Sequence, residues 1–264
     1  MTTIPPVVPP LPVKSRFALD LPANAGFAWL AAGWRDLRTQ SAPSLAYGVI
    51  VMLLSAAIVA GLWRLGWDFA LFPALAGFLV FAPALATGLY EKSRALESGE
   101  PVTFRRMLFP RPASGGQVLF TGALLLGLIL LWMRAAIIIY ALFFGVTDFP
   151  GLDHVAGVLF TTSTGAAMLV VGSVVGALFA AFSLAISAFS IPMMYDRDVD
   201  ALTAMGASWA LVWNNRRAMI VWGAIVLVLF VASIATALVG LVVVFPLLGH
   251  ATWHAYRAVP PELP

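Results

Sequence analysis

Apolar residues fill this chain in long blocks, and the polar residues are gathered into short stretches between them. About 20 apolar residues in a helix cross the ~30 Å of hydrocarbon in a bilayer, so the pattern predicts an all-α membrane bundle. Spans are expected at about Ser44 to Trp63, Phe69 to Tyr90, Val118 to Phe143 and Gly165 to Ile191. The 39 nearly uncharged residues from Ala218 to Tyr256 are too long for one span and suffice for two with a minimal turn near Gly240. That makes six transmembrane helices. One stretch differs from the rest: from Phe189 to Arg217 (FSIPMMYDRDVDALTAMGASWALVWNNRR) charged and apolar residues alternate in a single block.

Within it Asp198 can cap a helix whose Val199, Leu202, Met205, Trp209, Val212 and Trp213 recur at intervals suited to lying in the membrane plane. Residues 26–40 repeat this design, with Phe27, Leu30, Ala31, Trp34 and Leu37 on one stripe and Arg35, Asp36 and Arg38 off it. The polar stretch after Tyr90 reads as a surface loop with a short amphipathic piece at Phe104 to Leu108. A further loop is expected from Gly145 to His154. The prolines between Ile4 and Val13 deny the continuous apolar helix of a signal peptide, so residues 1–24 are expected as an uncleaved, disordered cytoplasmic tail. Residues 25–258 then form the six-span domain and 259–264 a short C-terminal tail.

Composition agrees with this class. Hydrophobic residues make up 61% of the chain, charged residues 10%, and mean hydropathy is +0.96; a soluble domain carries roughly 25% charged residues. Cysteine is absent, which excludes disulfides, thiolate zinc sites and iron–sulfur clusters. With the N-terminus in the cytoplasm, 13 of the 15 Lys and Arg fall on the inner side, Arg64 falls outside and Arg134 lies within a span. The bias supports a multi-pass protein of the inner membrane with both termini cytoplasmic.

The chain also resembles itself. A shift of 175 positions superimposes Trp34 on Trp209, Tyr47 on Trp222 and Gly48 on Gly223; a shift of 163 superimposes Pro83 on Pro246 and Arg94 on Arg257. Three parallel repeats, each an in-plane amphipathic helix plus a transmembrane hairpin, are the simplest architecture.

Candidate chemistry is sparse. Arg134 sits roughly 16 residues, or ~24 Å, from the cytoplasmic end of its helix; a charge at that depth is a functional candidate, or a residue that snorkels outward or bonds the hydroxyls of Thr161 to Thr164. His250 and His254 share a helix face and could hold a metal or a haem, with Asp196, Asp198 and Asp200 on the same side to complete a site. Equally, those acids suit an exposed loop and helix cap, and the histidines suit the headgroup belt. Gly172, Gly176 and Ala180 fall near one face of the fourth span, a seam for close helix packing that places this helix at the bundle centre. No phosphate-binding glycine loop, nucleophile triad or transmembrane carboxylate is present.

The blocks IPMMYDRDVDALTAMGASWALVWNN, MIVWGAIV and LVVVFPLLGHATWHAYR resemble the bacterial integral membrane family catalogued as domain of unknown function 2189. The resemblance implies a bacterial inner-membrane protein; some members carry the label of cytochrome c oxidase subunits. Three histidines are too few for a haem–copper core, which leaves an accessory role. Two function classes follow: a non-catalytic accessory or assembly subunit of a membrane complex, or a small transporter, channel or metal-binding protein using the Asp and His cluster. No cofactor is expected under the first. The expected partners are the lipid bilayer and other membrane proteins or a second copy of the chain, not nucleic acid.

Overall fold

The computed structural model describes residues 15–145 and 151–261. Among these there is no strand, and twelve α-helices follow one another: α1 (Ala25–Arg38), α2 (Ser41–Arg64), α3 (Leu71–Leu85), α4 (Thr87–Ser98), α5 (Phe104–Leu108), α6 (Gly115–Phe144), α7 (Leu152–Thr161), α8 (Ser163–Ser187), α9 (Ser190–Asp196), α10 (Ala201–Asn214), α11 (Arg216–Ala235) and α12 (Leu241–Arg257). The proline stretch from Ile4 to Val13 and residues 146–150 of the loop expected from Gly145 to His154 lie outside the described residues, and α7 begins within that expected loop, at Leu152.

Among the described residues, five segments are long and apolar enough to cross a membrane: Ser41–Arg64, Leu71–Ser98, Gly115–Phe144, Ser163–Asp196 and Arg216–Ala235. The sixth expected span is α12, whose 17 residues reach about 26 Å. It is shorter because the chain turns over residues 236–240 and because His250, Thr252, His254 and Arg257 make its last turns polar.

Two of the long segments are broken near one end, and a neighbouring helix repairs each break. Between α3 and α4, just after Pro83, the Leu85 carbonyl accepts a hydrogen bond from the Tyr47 hydroxyl of α2 at 2.7 Å. Between α8 and α9, the Phe189 amide donates to Ser208 Oγ of α10 at 3.2 Å, and that hydroxyl donates to the Ala185 carbonyl at 2.8 Å. In hydrocarbon such satisfaction is what makes a broken helix tolerable.

The breaks turn the polar ends inward, and this corrects the sequence expectation for residues 91–98. They form the second half of α4 rather than a surface loop, with Glu91, Lys92 and Ser93 buried. They are covered by α12, which packs against α1, α2, α4 and α9. The bundle centre is therefore α12, not the fourth span: ten of the 17 residues of α12 are buried, against four of the 25 in α8.

Close approach to α12 is achieved by glycines. A Cβ on Gly33 of α1 would stand 2.6 Å from the Ala251 amide nitrogen and 2.9 Å from the Leu247 carbonyl oxygen, and Gly48 of α2 faces the Val242 backbone as tightly. Gly176 of the expected seam does meet a neighbour, the Trp132 ring of α6, at 3.0 Å for an added Cβ; Gly172 meets nothing within 4 Å, and Ala180 is half-buried. Two-faced helices flank the bundle. On α1 Trp29, Ala32, Gly33 and Leu37 are buried while Phe27 and Trp34 are exposed. On α10 the Ala201, Ala204, Ala207, Ser208 and Leu211 stripe is buried, and Leu202, Trp209 and Trp213 face outward.

The stretch before α1 is not all free tail. Asn215 brackets it, its side-chain amide donating to the Phe17 carbonyl at 2.7 Å and its oxygen accepting from the Leu19 amide at 3.0 Å. At the other end Val259 is buried, and the Pro261 carbonyl accepts from Arg197 at 3.0 Å.

Candidate functional site

Buried Ser44, Lys92, Ser93 and His250 join half-buried Asp36 and His254 in one continuous polar chain where α1, α2, α4 and α12 meet. Lys92 Nζ donates to the Gln40 carbonyl at 2.9 Å and to Ser44 Oγ at 2.8 Å. Ser44 Oγ lies 2.9 Å from His250 Nε2, and His250 Nδ1 lies 2.8 Å from Ser93 Oγ. The Ser93 hydroxyl donates to Asp36 Oδ2 at 2.6 Å, and that same oxygen meets His254 Nε2 at 2.8 Å.

The donors fix the imidazole's tautomer. Each hydroxyl has one proton. Ser93 gives its proton to the carboxylate, so it can only accept from His250, whose Nδ1 must carry hydrogen. Ser44 accepts from Lys92 and gives its proton to His250 Nε2. All donors thus point one way, from the Lys92 amine to the Asp36 carboxylate, and His250 is neutral. A fully buried imidazole with both nitrogens occupied has no lone pair left for a metal.

Asp36 anchors the far end. Burial by itself would raise its pKa, but hydrogen bonds from His254 and Ser93, and the charge of His254, outweigh burial and hold the carboxyl below its ordinary value.

A second carboxylate, this one buried, lies on α4 two residues before Ser93. Glu91 accepts from Arg94 at 2.7 Å, from Arg106 of α5 and from the Tyr195 hydroxyl of α9. Tyr195 belongs to a buried aromatic knot with Tyr90, Trp253 and Tyr256, in which Trp253 has ring-centroid distances of 6.3, 6.3 and 5.5 Å to Tyr90, Tyr195 and Tyr256. The Trp253 Nε1 hydrogen is the sole buried side-chain polar group without a partner among the described residues.

The metal arrangement expected from the sequence does not assemble. His250 and His254 do share a face, but their partners come from α1, α2 and α4. Asp196 accepts from the Tyr256 hydroxyl at 2.7 Å and lies 3.7 Å from Arg257; Asp198 accepts from Ser114 at 3.0 Å; exposed Asp200 caps α10 by accepting from the Thr203 amide at 2.9 Å. No group of three or more His, Cys, Asp or Glu side chains among the described residues is placed to hold a metal ion. Arg134 is exposed on α6, and the Thr161 and Thr162 hydroxyls bond the carbonyls of their own helix. Lys92, Ser93, Ser44, Asp36 and Glu91 were not singled out by sequence; the signal was a charged run, EKSR, entering directly from a span with no turn residue between.

These features define a polytopic α-helical membrane protein with a closed polar clamp at the end of the bundle richest in basic residues. Residues 71–196 match the family model described as predicted integral membrane protein (DUF2189). No curated protein and no solved structure matches the chain.

Proposed function

We propose that the protein is a non-catalytic accessory or assembly subunit of a membrane complex in the bacterial inner membrane, a respiratory complex being one candidate. The observation that carries this reading is the closure of the polar clamp. Every buried charge is held by fixed partners within the chain. The cavity between α2, α3, α11 and α12 is about 50 Å³ and lined almost wholly by apolar side chains. A substrate pathway through a bundle needs ionisable groups facing an open cavity between the spans, whereas the arginine-lined cleft of about 580 Å³ beside α5 lies at the end of the bundle. What the molecule offers outward instead is a wide apolar surface with aromatic residues at its edges, suited to lipid and to other membrane helices.

In the membrane α12 serves as a sixth span, with both termini in the cytoplasm. The placement of 13 of 15 basic residues on one side supports this. A short helix precedes each of three helix pairs in the order α1–α2–α3, α5–α6–α8 and α10–α11–α12, which supports three parallel units.

The test is native mass spectrometry of the full chain extracted gently from its own membranes. The expected spectrum contains a stoichiometric second membrane protein and no metal or haem. A chain that is always alone and carries a stoichiometric metal would refute the proposal.

A further inference from the structure

Beside the clamp, a cleft of about 580 Å³ opens between α4, α5 and the approach to α6, walled by Arg94, Arg105, Arg106, Arg111, Thr103 and Phe109 with Glu91 at its inner side. Its charge is not balanced. Arg94 and Arg106 share Glu91, and Arg106 also reaches Glu100 at 2.5 Å. Arg105 and Arg111 are exposed, and no carboxylate among the described residues lies within ion-pair distance of either. Four guanidinium groups therefore converge on one cleft against a single lining carboxylate that is already saturated.

Location identifies the partner. Glu91 and Arg94 stand at the end of the second membrane-crossing segment, and Arg111 stands four residues before the third begins at Gly115. The cleft thus opens at the level of the lipid headgroups. At its edge Phe109 is 73% exposed and Leu108 39% exposed, apolar side chains that acyl chains can cover. The planar fork of arginine matches phosphate oxygens in pairs.

We propose that this cleft binds the phosphate ester of an anionic phospholipid headgroup. Arg105 and Arg111 supply the free guanidinium groups, Thr103 a hydroxyl, and Phe109 the contact with the first acyl methylenes. A free phosphate shares the recognition chemistry but gains nothing from Phe109 or from the headgroup level.

The full-length protein, stripped of lipid in detergent, is titrated with phosphatidylglycerol, with phosphatidylcholine and with inorganic phosphate, and bound species are counted by native mass spectrometry. Phosphatidylglycerol is expected to bind well ahead of phosphatidylcholine. The R105Q/R111Q double variant should lose about 25-fold in phosphatidylglycerol affinity, near the sum of two surface arginines, while R64Q, remote from the cleft, changes nothing. R105K/R111K, which keeps charge and loses the fork, should fall between. A thermal midpoint for each variant equal to that of the unaltered protein shows that the fold is intact. The proposal is overturned if R105Q/R111Q retains its lipid affinity, or if the two lipids bind alike. It is also overturned if millimolar inorganic phosphate occupies the site and displaces phosphatidylglycerol, which would assign the cleft to a soluble phosphate.

Discussion

Ser93 and His250 stand 157 positions apart in the chain, and their side chains meet at 2.8 Å, with Ser93 Oγ accepting from His250 Nδ1. That contact couples α4 to α12 and, through Asp36 and Ser44, to α1 and α2. It is the middle link of the run from Lys92 to Asp36, in which every donor points the same way, so removal of any one link orphans its neighbours.

Replacing Ser93 with Ala leaves the His250 Nδ1 hydrogen and one Asp36 contact unmet in a buried site. Unsatisfied buried groups of this kind cost ~1–3 kcal/mol each, so S93A should lower the unfolding midpoint in detergent by several degrees. Ser98→Ala, which removes only an exposed hydroxyl bonded to its own helix at 2.9 Å, should leave the midpoint where it is. Equal midpoints for both variants would show that the chain is not under load.

Acid should act through Asp36. Its folded-state pKa lies below its ordinary value, so the stabilisation is complete above the unfolded pKa near ~3.9 and is lost as pH falls through the folded one. Asp36→Asn should therefore lose stability at pH 7 and show a flatter decline below pH ~4 than the unaltered protein. Parallel acid limbs in a pH series of thermal midpoints would contradict this.

Glycine positions separate real helix contacts from apparent ones. Gly33→Ala drives a methyl into the Ala251 and Leu247 backbone, which neither helix can yield without parting, and overpacking of this sort costs ~1–3 kcal/mol. Gly172→Ala meets open space and should be neutral or slightly stabilising. Differential scanning fluorimetry of the two variants checks the ranking; a reversed order would place the packing centre on α8 instead of α12.

Metal removal should do nothing. The imidazole nitrogens of His250 are both engaged and the acids at 196, 198 and 200 each serve another group. Chelator treatment should leave the unfolding midpoint unchanged and elemental analysis should find no stoichiometric zinc, iron or copper. A drop in stability with chelator would restore the metal reading.

Much of the fold could be read from hydropathy. The first, third and fourth spans fall within a few residues of α2, α6 and α8, the short piece at Phe104 to Leu108 is α5, and the turn near Gly240 is where α12 begins. The site was less legible for a physical reason. Hydropathy registers EKSR as polar and assigns it to water, because the sequence alone does not reveal that α12 returns to cover it. The spacing of His250 and His254 correctly put both on one face, but their partners, Ser44, Ser93 and Asp36, are 157 to 218 positions away. Tyr195 was not singled out, and the acids that follow it suited an exposed loop, whereas the break before α9 turns Tyr195 inward onto Glu91.

The most direct test of the closed clamp is nitrogen-15 nuclear magnetic resonance of histidine-labelled protein in lipid nanodiscs at pH 7, with H250Q to assign the signal. The account predicts a neutral His250 ring protonated at Nδ1, unmoved by added zinc. An imidazolium, an Nε2-protonated ring or a zinc-dependent shift would contradict it.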